Sequence, residues 1–165
     1  MFLMVVTSRD AHHESSPDDA AELARSIHDI VLSVLRQIQP TVEAERISKG
    51  QFLAMHVLSS MKTASVSDVA RHLAVKAPTV CVTVDQLEEA GLVTRHRSAR
   101  DHRTVEVSLT PKGRRVEARV WAQIGRRIAE AAVDLPPDDL AAAIRVFREL
   151  NRRLDPKPEG PGADN

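Results

Sequence analysis

Apolar side chains recur at helical spacing along three long segments of the chain. In the first segment, from Asp18 to Gln39, they form a wide stripe: Ala20, Leu23, Ala24, Ile27, Ile30, Val31, Val34, Leu35 and Ile38. Residues 111–133 and 138–154 carry stripes of the same kind. The pattern therefore predicts one long amphipathic helix near the N-terminus and two near the C-terminus.

The central part of the chain is divided into shorter elements. After a polar, linker-like stretch at 41–49, the pattern predicts three helices, at residues 50–60, 66–73 and 78–90. Gly91 can end the last helix, because glycine readily takes the left-handed conformation. A short apolar start at Leu92 and the alternation in 104–109 predict two strands. The predicted fold is mainly α with a small β-ribbon, a winged helix-turn-helix with N- and C-terminal dimerisation helices.

The loop between the predicted strands is too long for a tight turn and is rich in arginine. It holds one acid, Asp101, among four arginines: Arg95, Arg97, Arg100 and Arg103. The charge by itself would also fit an ordinary hairpin loop exposed to solvent. An exposed loop on a ribbon can also lay guanidinium groups along phosphates or into a narrow minor groove. Beside a helix-turn-helix, the pattern favours a DNA-binding wing.

The second helix of a helix-turn-helix enters the major groove of double-stranded DNA. Its inward face is predicted to be Val80, Val84 and Leu87. The candidate DNA contacts lie on its other side or at its entrance: Lys76, Ala77, Pro78, Thr79, Val82, Thr83 and Gln86. Threonine and glutamine can hydrogen-bond to bases or phosphates, and valine can contact a thymine methyl. A surface helix without a partner shows the same pattern, so the adjoining wing carries the DNA-binding interpretation.

Composition and charge narrow the classes of function. The 165 residues suit one domain with tails, and one Trp, three Phe and no Tyr require an aliphatic core. The net charge is zero, but basic residues cluster between 91 and 115, whereas the charged residues of 1–24 are five acids and one arginine. The sequence shows no paired nucleophile and base, no Gly-rich phosphate loop and no zinc-ligand spacing. We therefore expect neither an enzyme nor a metal or cofactor site.

The number of cysteines and the hydropathy of the chain indicate the cellular compartment of the protein. Cys81 is the only cysteine, which excludes an intramolecular disulfide and fits a reducing cytoplasm. No apolar run approaches the length of a membrane span. We therefore expect a cytoplasmic protein without a membrane partner.

The long terminal helices carry more apolar surface than a compact winged lobe of this size needs. A second copy of the chain is expected to cover it, through Leu23, Ile27, Leu140, Ile144, Phe147 and Leu150. A two-fold dimer places its recognition helices roughly 34–36 Å apart, which predicts a pseudo-palindromic operator. The expected organisation is a flexible tail at 1–17, a dimerisation helix and linker at 18–47, a DNA-binding lobe at 48–110, dimerisation helices at 111–154 and a disordered tail at 155–165.

Several motifs match one family pattern: QFL at 51–53, DVARHL at 68–73, PTV at 78–80, DQLEEAGLV at 85–93, DHR at 101–103 and VSLTPKG at 107–113. On these residues the chain from 18 to 154 resembles the MarR-type transcriptional regulators. The resemblance implies a homodimeric winged helix-turn-helix protein, usually a ligand-responsive repressor. It also implies that Arg103 enters the minor groove and that Asp101 orients Arg97 or a partner on the recognition helix.

The resemblance further implies a pocket for a small aromatic or phenolic effector between the lobe and the dimer helices. The polar or aromatic candidates to line it are His28, Arg36, Phe52 and His56, although residues at any lobe junction have the same character. The chain departs from the family pattern at Ala74, Lys76 and Val82, where glycine, serine and arginine are common. These departures remove a capping oxygen and a DNA contact, so we expect an altered operator preference.

Two alternatives remain open. A winged helix can be a protein-interaction module, although such a module would not need four arginines in its wing. Cys81 lies near the start of the recognition helix, where oxidation could displace that helix from DNA in a redox-responsive regulator. A cysteine that only fills space inside the lobe would fit the sequence as well.

Overall fold

The computed structural model describes residues 16–98 and 103–154, which form seven helices and three short strands. Helices make up most of these ranges, and the strands form one antiparallel sheet. The predicted class, a mainly α protein with a β-ribbon and a winged helix-turn-helix, is confirmed. Almost all of the tails expected at 1–17 and 155–165 lies outside the described residues, and only Ser16 and Pro17 of them belong to the described chain.

The N-terminal segment forms two consecutive helices, α1 (Pro17–Gln37) and α2 (Gln39–Ala44). α1 begins at a capping box, in which the Ser16 hydroxyl accepts a hydrogen bond from the Asp18 backbone N–H at 3.1 Å. The prediction of a linker over 41–49 is wrong for its first part. Pro40 does not end the helical region but lies in the first turn of α2, where its missing N–H costs nothing.

Three helices form the centre of the lobe: α3 (Lys49–Met61), α4 (Val66–His72) and α5 (Ala77–Glu89). α4 and α5 are the predicted helix-turn-helix, and α3 packs against both. Ser48 and Ser65 cap α3 and α4 through capping boxes. The turn between α4 and α5 contains Ala74 with φ 53°, in the left-handed region that favours glycine.

The wing is a β-hairpin extended by a third strand. β2 (Val93–Arg97) and β3 (Val105–Leu109) form the predicted ribbon, with Val93 opposite Leu109. The sequence pattern missed β1 (Thr63–Ser65), which pairs with β3 on its other edge and gives the order β1-β3-β2. Because β1 leads directly into α4, the wing and the helix-turn-helix belong to one body.

The junction between α5 and α6 (Pro111–Ala131) is fixed by close backbone contacts. Gly91, with φ 68°, follows the end of α5. The Thr110 hydroxyl accepts from the Gly113 N–H at 3.0 Å and donates to the Gly91 carbonyl oxygen at 2.8 Å. A Cβ on Gly113 would lie 2.0 Å from the Leu92 carbonyl oxygen. Glycine at this position therefore allows α6 to pack directly against the entry to the wing.

The buried core is aliphatic in the main, as expected, and belongs to the lobe, α2 and α6. Its largest fully buried side chains are Ile38, Met55, Leu58, Leu87, Val42, Val69, Val80, Val84, Val107 and Val120. In contrast, α1 and α7 (Pro137–Leu154) bury no side chain. Both helices nevertheless carry apolar stripes, so a large apolar surface is exposed among the residues that the structure describes.

Candidate nucleic-acid interface

α5 turns one face to the core and presents the opposite face to solvent. Its predicted inward residues, Val80, Val84 and Leu87, are buried, and this burial fixes the rotation of the helix. The exposed candidate contacts are consequently Pro78, Thr79, Val82 and Gln86, with Thr83 partly exposed. Ala77 is partly buried and packs against the core, so its side chain points away from the surface formed by the others.

The N-terminus of α5 is open to an anion. Lys76 occupies the N-cap position and is exposed, and no side chain of the described residues caps this end. The positive end of a helix dipole favours a negatively charged group such as a phosphate. The serine that the family pattern would place here is absent, as the sequence indicated, and a lysine charge stands in its position.

Two polar side chains on α5 are already held by hydrogen bonds within the protein. The Thr83 hydroxyl donates to the Thr79 carbonyl oxygen at 3.0 Å. Gln51 Nε2, on α3, donates to Gln86 Oε1 at 3.0 Å. The exposed face of α5 is therefore partly pre-oriented before any partner binds.

Arg95 joins the base of the wing to α5. Its guanidinium lies 2.5 Å from Asp85 and also pairs with Glu88, whose carboxylate accepts from the Arg95 backbone N–H at 3.2 Å. The hydrogen bond to Asp85, reinforced by Glu88, raises the pKa of Arg95. Two carboxylates oppose its single charge, so the geometry favours a brace between helix and strand at this position over a phosphate contact.

The outer part of the wing holds the other described arginines. Arg97, at the end of β2, and Arg103, before β3, are both exposed. Between the strands, the buried Ser98 hydroxyl donates to Glu106 at 2.6 Å. Arg100 and Asp101 lie outside the described residues, and the orienting role of Asp101 stays a prediction.

The four residues predicted to line an effector pocket lie in two separate places. His28 and Arg36 are exposed on α1, and Arg36 donates to the Ser33 hydroxyl at 2.9 Å. Phe52 is buried in α3, and its ring centroid lies 6.2 Å from that of His56. The structure therefore brings Phe52 and His56 together, and among the described residues no hydrogen bond or ring contact joins His28 or Arg36 to them.

His56 connects the lobe to α6. Its Nδ1 lies 2.9 Å from a carboxylate oxygen of Glu117, a residue that is only 8% exposed. The imidazole also stacks on the Trp121 indole, with 4.5 Å between centroids and 13° between planes. A separate apolar cavity of about 290 Å³ lies between α1 and α6, lined chiefly by Ile30, Val34, Ile38, Ile124 and Ile128. None of the four predicted pocket residues lines this cavity.

The predicted dimer residues lie on α1 and α7, the two helices that have no fully buried side chain. Leu23, Leu140, Ile144 and Phe147 are exposed, and Ile27 and Leu150 are partly exposed. Cys81 is exposed on α5, which removes the interpretation of a buried filler. Across the described residues no three metal-ligating side chains come together, and no described helix has the length and apolar character to cross a membrane.

Sequence reasoning missed three polar pairings at this surface. Arg95 is ten residues from Asp85, and the helix-to-strand turn between them was a usable signal for their contact. Gln51 and Gln86 are 35 residues apart, and His56 and Glu117 are 61 apart. No periodicity relates such distant residues, so these two pairings depend on the tertiary fold.

Comparison with known proteins agrees with this architecture. The family model described as MarR family matches residues 47–104, which span the helix-turn-helix and most of the wing. The organic hydroperoxide resistance transcriptional regulator of Bacillus subtilis (strain 168) is 30% identical over 117 residues, covering 71% of each chain. The HTH-type transcriptional repressor MdtR of the same organism is 26% identical over 98 residues, 57% of this chain and 63% of that protein.

The fold is shared with solved structures over most of the chain. A MarR family protein from Bacillus stearothermophilus superimposes with a TM-score of 0.75 at 21% identity, covering 85% of this chain and 98% of that one. At this identity the similarity shows the fold alone. The family follows from the 30% identity to the organic hydroperoxide resistance regulator. The chain therefore belongs to the MarR family of transcriptional regulators, which are not enzymes.

Proposed function

We propose that this regulator is a homodimeric, sequence-specific repressor that reads a pseudo-palindromic operator with α5 in the major groove and the wing in the minor groove. One observation carries the proposal: the exposed face of α5 lies beside a hairpin that bears Arg97 and Arg103. A single surface thus offers side chains for both grooves. Its relative MdtR is named a transcriptional repressor, which supports repression as the direction of regulation.

Positioning on the DNA backbone is assigned to the N-terminal end of α5. Lys76 supplies a charge there, and the open helix end supplies N–H groups. Sequence reading is assigned to Thr79, Val82, Thr83 and Gln86. Val82, 57% exposed, suits contact with a thymine methyl.

Dimerisation is supported by the surface that the single chain leaves uncovered. α1 and α7 bury no side chain, although Leu140, Ile144 and Phe147 form an apolar face on α7. A second copy can bury such a face through an isologous contact. The two α5 helices would then read half-sites one DNA turn apart.

The proposal includes a small aromatic or phenolic effector. We assign its binding site to two of the predicted pocket residues, Phe52 and His56, whose rings stack on each other. His56 also stacks on Trp121. This aromatic stack joins α3 in the lobe to α6. A ring inserted there would shift the lobe relative to the dimer helices and so change the spacing of the two α5 helices.

The proposal is tested by selecting genomic fragments with purified protein and titrating the recovered site at several salt concentrations. A short pseudo-palindrome and a steep fall of affinity with salt are expected. Weak, sequence-independent binding with no enriched site would instead favour a protein-interaction module. A phenolic acid that releases the operator would support the effector site.

Replacing the wing arginine tests the minor-groove contact. Arg103→Ala should lower operator affinity by about ten- to a hundredfold and leave the dimer intact, because it removes a guanidinium from each wing. Arg25→Ala is the matched control, since Arg25 is exposed on α1 and pairs with Glu22 one turn away. Equal affinity of the Arg103→Ala and Arg25→Ala proteins would remove the wing from the proposal.

One observation favours a second, redox-responsive mode. Cys81 is exposed on α5, and the relative from Bacillus subtilis is named for organic hydroperoxide resistance. Oxidation of the Cys81 thiol to a sulfenic acid would reduce the hydroperoxide to its alcohol and place a larger polar group on α5. Cumene hydroperoxide should then release the operator from the wild type and not from Cys81→Ser.

A further inference from the structure

A hydrogen-bonded chain leads from the N-cap of α3 to the exposed face of α5. Gln51 Oε1 accepts from the Ser48 backbone N–H at 2.7 Å, as the glutamine of a capping box. Gln51 Nε2 donates to Gln86 Oε1 at 3.0 Å. Gln86 is exposed, so its amide lies at the end of the chain on the protein surface.

The chemistry of the first donor determines the orientation of both amides. A backbone N–H can only donate, so the atom of Gln51 that faces Ser48 must be its oxygen. The Gln51 nitrogen then faces Gln86 and can only donate to it. Gln86 must therefore turn its oxygen towards Gln51 and its NH₂ group away from it.

We propose that Gln51 is a positioning residue for operator specificity, because it fixes Gln86 with its NH₂ group towards the DNA. This inference rests on the proposed function, in which α5 lies in the major groove. An unrestrained glutamine reads adenine with both its oxygen and its nitrogen. Gln86 has its oxygen turned towards Gln51, so the group that it turns towards the DNA is its NH₂ donor.

The consequence is a preference for a keto base at the position that Gln86 contacts. In the major groove guanine presents two acceptors, N7 and O6, and thymine presents the acceptor O4. Adenine presents the acceptor N7 beside an amino donor, and cytosine presents an amino donor alone. An outward NH₂ group pairs with the acceptors and is mismatched with the donors. Gln86 should therefore prefer guanine or thymine to adenine, and should disfavour cytosine most.

Gln51→Glu reverses the arrangement without disturbing the helix cap. Glutamate is itself a standard capping-box residue, so it can accept from the Ser48 N–H as glutamine does. A carboxylate cannot donate to Gln86, whose NH₂ group must turn towards it and leave its oxygen outward. The preferred base should change from guanine or thymine to adenine or cytosine.

The experiment selects operator variants from a randomised half-site with four proteins: the wild type, Gln51→Glu, Gln51→Met and Gln86→Ala. Gln86→Ala identifies the contacted position by losing preference there. At that position Gln51→Glu should invert the preference by roughly tenfold, and Gln51→Met should weaken it, since methionine leaves Gln86 free to turn. Any uniform loss of affinity from the added charge does not affect the comparison between bases.

The possible outcomes distinguish a failure of the positioning role of Gln51 from a failure of the proposed function. If the wild type enriches no site, the proposed function fails. If the wild type enriches a site but Gln51→Glu keeps the same base at the Gln86 position, the positioning role is overturned. An enriched site in which no position responds to Gln86→Ala overturns it too, because Gln86 would then contact no base.

Discussion

Ala74 holds a backbone conformation that usually belongs to glycine. With φ 53°, it follows the end of α4, and its N–H donates to the Arg71 carbonyl oxygen at 3.2 Å. The next N–H, of Val75, donates to the Ala70 carbonyl oxygen at 3.0 Å. These are the two hydrogen bonds of a Schellman motif, in which a left-handed residue ends the helix. The turn therefore has both hydrogen bonds of the motif, but Ala74 is strained in its left-handed conformation.

Ala74→Gly should stabilise the protein. A left-handed alanine costs about 1–2 kcal/mol, and the added freedom of glycine in the unfolded chain offsets about half of this. We expect a gain of about 0.5–1 kcal/mol in the free energy of unfolding, measured by urea denaturation. Ala90→Gly, at the C-cap of α5 with φ −74°, is the control and should lose stability. A lower urea midpoint for Ala74→Gly would show that the turn carries no strain.

Basic residues near the wing have different roles that the sequence does not separate. The cluster between 91 and 115 predicts a basic surface, but several of its charges serve the fold. Lys112 Nζ donates to the Ala90 carbonyl oxygen at 2.7 Å, at the negative end of the α5 dipole. Arg114 donates to the Leu109 carbonyl oxygen at 2.7 Å, and Arg95 is paired with Asp85. Local charge density therefore overstates the number of DNA contacts.

At the scale of elements, the long helices, the helix-turn-helix and the two-stranded ribbon were predicted, and two short elements, β1 and α2, were missed. α3, α4 and α5 begin and end within two residues of their predicted limits, because Ser48, Ser65 and Gly91 mark those limits chemically. The three residues of β1 are too few for a periodicity and become a strand only by pairing with β3. α2 was missed because a proline after an apolar stripe indicates a helix end as readily as a helix start.

Substitutions at two glycines of α6 test whether this helix packs closely against the start of the wing. Gly113→Ala should lower the free energy of unfolding by about 3 kcal/mol, since its Cβ would meet the Leu92 carbonyl oxygen, which cannot move aside. Gly125→Ala should raise it by about 0.8–1 kcal/mol, because a Cβ there meets nothing within 4 Å and alanine favours the helix. Thermal unfolding of both variants checks this. Similar effects of the two substitutions would show that α6 is not held against the wing.

At the scale of the whole molecule, the chain divides into a packed lobe and two helices that lack a covering. The lobe has a continuous core reaching from Ile38 to Ile124. α1 and α7 have no fully buried side chain, and Leu140, Ile144 and Phe147 of the α7 stripe are exposed among the residues that the structure describes. Exposed apolar faces of this extent are characteristic of surfaces that are covered by another chain.

A charge placed in that face should separate the copies. Ile144→Asp should convert a dimer to monomers at micromolar concentration in sedimentation velocity, because a carboxylate would have to be buried without a partner. Arg145→Asp introduces the same side chain at the next position, which lies off the apolar stripe of α7, and should leave the dimer intact. A dimer that survives Ile144→Asp would place the interface elsewhere.

The stack of Trp121 on His56 makes the protein its own optical reporter. With one tryptophan and no tyrosine, nearly all ultraviolet emission comes from a single indole, half-exposed at the contact between α3 and α6. A movement of the lobe relative to α6 that changes the distance of 4.5 Å between the two rings should change the quantum yield. Such a movement can thus be followed on the unmodified chain, without a dye or an added label.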